Sequence, residues 1–118
     1  MTDRLPVEIN VRKSGGIAIL DVHGRLTIGE PAERLHEVLQ SVVNEGSRKV
    51  IVNLNAIPQI DSSGISTLVR SSIRLARESG ELRLVCGQGR VRDALTVTRL
   101  VEALPTFETE AAALKDFA

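Results

Sequence analysis

Aromatic side chains are nearly missing from this chain: Phe107 and Phe117 are the only two, and the 118 residues contain no Trp and no Tyr. Platforms for single-stranded nucleic acid are built by stacking bases on aromatic rings, so that mode of recognition is disfavoured. An excess of one charge is missing too. Fifteen Lys and Arg balance fifteen Asp and Glu, leaving no global field to draw the chain toward nucleic acid or an anionic membrane. With Cys86 as the single cysteine, no internal disulfide can form. The opening Met1-Thr2-Asp3-Arg4 leads to Pro6 and an alternating segment without the apolar run of a secretion signal, and no stretch reaches the roughly 18 uninterrupted apolar residues of a membrane span. The expectation is a cytoplasmic protein with no direct membrane insertion.

Catalytic signatures are also lacking. There is no Gly-x-Ser-x-Gly elbow, no phosphate-binding loop ending in Gly-Lys-Ser/Thr and no His-Glu-x-x-His, and Gly87-Gln88-Gly89 reads as a turn. His23 and His36 stand apart with no second ligand at metal spacing. No enzyme, metal or cofactor is expected.

What is present is an aliphatic core in alternating packets. The hydrophobic fraction of 42% is that of a globular protein, and the length suits one domain spanning residues 1–118, with its core at about 7–115. Val7, Ile9 and Val11 alternate with Glu8, Asn10 and Arg12; Ser14-Gly15-Gly16 turns the chain into Ile17–Val22, which His23-Gly24 ends. This is a hairpin. Pro31 then opens a helix carrying Ala32, Leu35, Val38, Leu39 and Val42 on one side, closed by Gly46, and a buried strand follows from Arg48 to Leu54. A second helix begins at Ser62, with Ile65, Leu68, Val69, Ser72, Ile73 and Ala76 on its inner side, Arg70, Arg74 and Arg77 opposite, and Gly80 as its cap. A strand at Leu82–Val85, a helix through Val91, Ala94 and Leu95, a short edge strand at Leu104–Phe107 and a last helix capped by Thr109 complete the chain. The expected fold is α/β: a mixed, mostly parallel sheet of four to five strands, an N-terminal hairpin and about four helices.

The junction Ile60-Asp61-Ser62-Ser63-Gly64 stands between a strand and a helix. A helix mouth offers unpaired N–H groups and the positive end of the dipole, so a phosphate on Ser62 would be favoured there with little refolding. The plainer reading of Asp61, Ser62 and Ser63 is a well-capped helix.

Resemblance adds to this reading. Val50–Leu54, then Ile60-Asp61-Ser62-Ser63-Gly64-Ile65 and Leu68, resemble the signature of the anti-sigma factor antagonist family of STAS domains; Gly24-Arg25-Leu26 and the stretch from Leu82 to Leu95 resemble its flanking elements. The resemblance implies a bacterial partner-switching module for transcription regulation and signal transduction. Unphosphorylated Ser62 would present a surface to a protein that is both anti-sigma factor and serine kinase, phosphorylation of Ser62 would end the contact, and a serine phosphatase would restore it. The implied partner surface is Asp61, Ser62, Ser63, Gly64, Thr27 and Glu30. Thr27 departs from the pattern, since family members often carry an acid there, and Glu30 is the candidate to supply part of that charge. The alternative is a structural STAS subunit of a bacterial phospholipid transporter of the ATP-binding cassette type, with the serine as a cap only. Nucleotide binding is a distant third.

Overall fold

A two-residue turn sets the topology in motion. In the computed structural model, which describes residues 7–117, β1 (Val7–Ser14) and β2 (Ile17–Gly24) pair antiparallel across Gly15 and Gly16, whose φ values of 56° and 86° fit a primed hairpin turn. The chain then alternates: α1 (Glu30–Asn44), β3 (Lys49–Ala56), α2 (Ser62–Arg77), β4 (Glu81–Val85), α3 (Arg90–Val97), α4 (Leu100–Ala103), β5 (Thr106–Phe107) and α5 (Glu110–Leu114). The sheet order is β1-β2-β3-β4-β5, with every pair after the hairpin parallel. The mixed sheet expected from the sequence is therefore present, with one more helix, the single turn α4.

Helices of 8 to 16 residues are too short to stand alone in water, so packing must hold them. Leu20, Val52 and Leu84 from the sheet meet Leu35 and Leu39 of α1, Leu68 and Leu75 of α2, and Leu95 of α3 in one aliphatic core. Burying each such leucine contributes about 1.5–3 kcal/mol, enough in sum to fix α1, α2 and α3 to this face. The opposite face is covered in part by α5, where Ile17, Ile19, Ile51 and Val85 pack with Ala113 and Phe117.

Two details of α2 differ from the sequence reading. Its buried residues are Gly64, Thr67, Leu68, Ser71 and Leu75, whereas Ile73 and Ala76 are exposed. Gly64 is on the inward side and lies against Leu26: a Cβ at residue 64 would come within 2.6 Å of the Leu26 carbonyl oxygen. The helix also ends differently. Ser79, with φ 64°, takes the left-handed position, and Gly80 instead lies close to the Arg48 backbone, where a side chain would collide.

Candidate functional site

Asp61 organises the junction. Extended at φ −122° and ψ −173°, it is the N-cap of α2, and its Oδ1 accepts from the backbone N–H groups of Ser63 at 2.9 Å and Gly64 at 3.2 Å. Its Oδ2 accepts from the Ile28 N–H at 2.9 Å, tying a second loop to the same carboxylate. That loop is also held by backbone. Leu26 N–H donates to the Gln59 carbonyl at 2.9 Å, Asp61 N–H donates to the Leu26 carbonyl at 3.3 Å, and Leu26 forms a parallel bridge with Ile60. Partial burial pulls the Asp61 carboxyl upward, but the N–H bonds from Ile28, Gly64 and Ser63 outweigh it and hold the group below the usual aspartate range.

Ser62 is therefore the first helical residue and not the cap. It is exposed, and no hydrogen bond among the described residues engages its hydroxyl. Beside it, Ser63 is half-buried and its carbonyl accepts from the Thr67 hydroxyl at 3.1 Å. Gly64, expected on the partner surface, is buried: it permits the close approach to Leu26 and offers no surface for contact. Thr27 is half-buried and its carbonyl accepts from the Ala32 N–H at 3.1 Å, which starts α1; Glu30 is exposed in the first turn of that helix. All six sequence candidates thus cluster at one end of the sheet, but they are not equivalent.

An open groove of about 780 Å³ runs from Ser62 between α1 and α2. Its walls include Ile28, Glu33, His36, Glu37, Ser66 and Arg70. Sequence reading missed most of these, although spacing carried a signal: Ser62, Ser66 and Arg70 recur every four residues on α2, and Glu33 and Glu37 do so on α1. Ile28 is 76% exposed, an apolar tip at the groove's mouth that periodicity could not mark because it stands alone in a loop. Glu30 is not among the groove residues; Glu33 and Glu37 bring the acidic charge there.

The arginines of α2 do not form one free stripe. Arg74 donates to Glu78 at 3.1 Å, to Asn44 at 2.7 Å and to Gln40, so it joins α2 to α1. Arg70 alone of the three opens onto the groove beside Ser62.

The order of elements, the strand-to-helix junction and the Asp-Ser-Ser-Gly turn find one common match: the STAS domain profile covers residues 8–113. The chain belongs to the STAS domain family. Relatives of this STAS domain include BtrV of Bordetella bronchiseptica, a protein given the name of an anti-sigma factor antagonist, 24% identical over 111 residues that span 94% of this chain and 95% of BtrV. A crystal structure of an anti-sigma factor antagonist from Mycobacterium paratuberculosis superposes with a TM-score of 0.83 at 22% identity, covering 94% of this chain and 93% of the other. The Bacillus cell fate determinant SpoIIAA, solved in its phosphorylated form, gives a TM-score of 0.69 at 16% identity over 91% of this chain and 96% of SpoIIAA. At these identities the solved structures establish a shared fold. Among the described residues, no helix is long and apolar enough to cross a membrane.

Proposed function

We propose that this STAS domain is an anti-sigma factor antagonist that works by partner switching, with Ser62 as its phosphorylation site. One observation carries the reading: Ser62 is exposed, with its hydroxyl unengaged among the described residues, at the head of α2 next to a groove between two helices and an exposed isoleucine. An anti-sigma factor with serine kinase activity docks over Ile28, Ser62 and the groove while the serine is neutral.

The switch is electrostatic. A phosphate brings about −1.5 to −2 charges to a position already beside the Asp61 carboxylate and near Glu33 and Glu37. Asp61 has taken the Ser63 and Gly64 N–H groups, so they are not free to draw the phosphate back onto the helix. It stays on the docking surface. Like charges facing across an interface cost several kcal/mol, and each ~1.4 kcal/mol is about tenfold in affinity, so one modification releases a micromolar partner without refolding the domain. A serine phosphatase resets the surface.

Both oxygens of Asp61 are committed to backbone donors, which leaves the carboxylate badly placed to act as a base toward Ser62 and supports a regulatory, non-enzymatic role. The test is incubation with the cognate anti-sigma kinase and ATP, followed by intact-mass and peptide analysis. One phosphate on Ser62 is expected, with Ser62→Ala binding the kinase persistently and Ser62→Asp binding it weakly. An unmodified Ser62, or a Ser62→Asp variant that binds as well as wild type, would overturn the proposal; co-purification with an ATP-binding cassette subunit would point to the transport alternative.

A further inference from the structure

We propose that this STAS domain forms a two-fold symmetric dimer by pairing β1 with β1 of a second copy, in the register that places Asn10 opposite Asn10. The proposal is independent of the phosphorylation reading and rests on the strand at the sheet's edge. Among the described residues β1 has one strand neighbour, β2, and its eight residues pair without a bulge or proline. An edge of that length and regularity is a template for another strand.

The hairpin settles which backbone groups are free. In a two-residue hairpin the residues flanking the turn, here Ser14 and Ile17, exchange both hydrogen bonds, so Arg12, Asn10 and Glu8 also direct their N–H and C=O groups toward β2. Val7, Ile9, Val11 and Lys13 direct theirs outward. A two-fold axis normal to the sheet keeps side-chain faces matched only in registers that pair odd residues with odd and even with even. Centring the axis on Asn10 pairs Ile9 with Val11 through the outward groups, at the centre of the edge and clear of the buried Val7, and sets Glu8 opposite Arg12 on the other face.

Side chains favour this register. Val11 is 43% exposed, and with Ile9, Val38 and Val42 it lines a groove of about 380 Å³ between β1 and α1. The Ile9–Val11 pairs of the dimer cover that groove from both sides. Arg34 and Glu45 stand toward its two ends, and the two-fold axis turns it end for end, bringing each Arg34 toward the Glu45 of the other copy. Moving the axis by one residue to Val11 would pair Ile9 with Lys13 and Glu8 with Ser14, losing both matches. Arg12 already bonds Asp21 and Glu110, so its contact with Glu8 contributes orientation more than affinity. This groove lies on the other flank of α1 from Ser62, and among the described residues Glu37 alone borders both. The dimer leaves two phosphorylation sites open.

Sedimentation velocity of the full chain, from low micromolar to near-millimolar concentration, should show a reversible dimer of the 12.8 kDa monomer. Val11→Asp, which sets a carboxylate against Ile9, should weaken the dimer by about tenfold or more with an unchanged circular dichroism spectrum. The register has its own readout. Asn10 pairs lie between the hydrogen-bonded pairs, with Cα atoms about 4.5 Å apart and within disulfide reach, so Asn10→Cys should cross-link under mild oxidation. Glu8→Cys should not, since the two copies of residue 8 are about 13 Å apart along the strands. Buried Cys86 stays out of the reaction. A monomer at every concentration, or a dimer that is insensitive to Val11→Asp and that the Asn10→Cys variant fails to cross-link, would overturn the proposal.

Discussion

The two faces of the sheet are held by different physics. On one face, α1, α2 and α3 lay leucines and valines over Leu20, Val52 and Leu84 in a continuous aliphatic core. The other carries a smaller cluster under α5 and is finished by charges: Arg83 stacks on Phe117 at 4.0 Å and Phe107 at 5.4 Å, and donates to the carbonyls of Ala113 and Lys115. Farther along, Arg12 bridges Asp21 and Glu110, while Asn53 donates to Asp21 at 3.2 Å. Non-directional burial holds the helical face; a few aimed contacts fasten α5. A face built the first way spreads its stability over many contacts, whereas the second depends on single side chains.

The largest effect should come from the helical face. Leu84→Ala, at a fully buried site, should cost about 2–5 kcal/mol in urea-induced unfolding. A loss under about 1 kcal/mol would mean that the two faces are not as unequal as their packing indicates. Gly64→Ala comes next: a methyl against the Leu26 carbonyl should cost about 1–3 kcal/mol. It should also disturb the Leu26–Ile60 bridge, so partner binding should weaken even where the variant stays folded. Hydrogen exchange at Ile28 would report that displacement.

Arg83→Met keeps apolar bulk but removes the cation and its two carbonyl bonds, and should cost about 1–2 kcal/mol. Limited proteolysis should cut near α5 sooner than in wild type. Equal resistance would show that the Arg83 contacts are dispensable and that Ala113 and Phe117 burial with the Arg12–Glu110 pair holds the helix.

The smallest effect separates the carboxylates of the two regions by pH. Arg12 holds Asp21 below the ordinary aspartate range, and the N–H donors do the same for Asp61 against the pull of burial. Each contributes stability that is present above the unfolded value of about 3.9 and lost as pH falls through the lower folded value. Asp61→Asn should therefore lower the urea midpoint at neutral pH and lose that deficit in acid, because asparagine still caps but carries no charge. A deficit independent of pH would assign the role of Asp61 to shape alone.

Strand and helix order was legible because alternating and three-to-four-residue spacings report burial directly. Val7, Ile9 and Val11, the Gly15-Gly16 turn and the Thr109 cap, which accepts from Ala112 N–H at 3.1 Å, all lie where the pattern put them. The single turn α4 carried no such signal, since it is entered through Arg99 at φ 63° with no capping side chain. At the junction, Asp61-Ser62-Ser63-Gly64 was legible as a motif, but Gly64 as a packing residue and the groove with Ile28, His36 and Arg70 were not.

By itself, the order of residues determined an α/β alternation, an aliphatic core and a serine after an aspartate at a strand-to-helix junction, because each is a local pattern of polarity and backbone preference. Only the tertiary structure decided which side of α2 is buried, that Asp61 ties the Ile28 loop to the helix head, and that Ser62 is left without a partner among the described residues. Those outcomes depend on contacts between segments tens of residues apart, such as Leu26 with Gly64 and Gln40 with Arg74, and no local spacing encodes them.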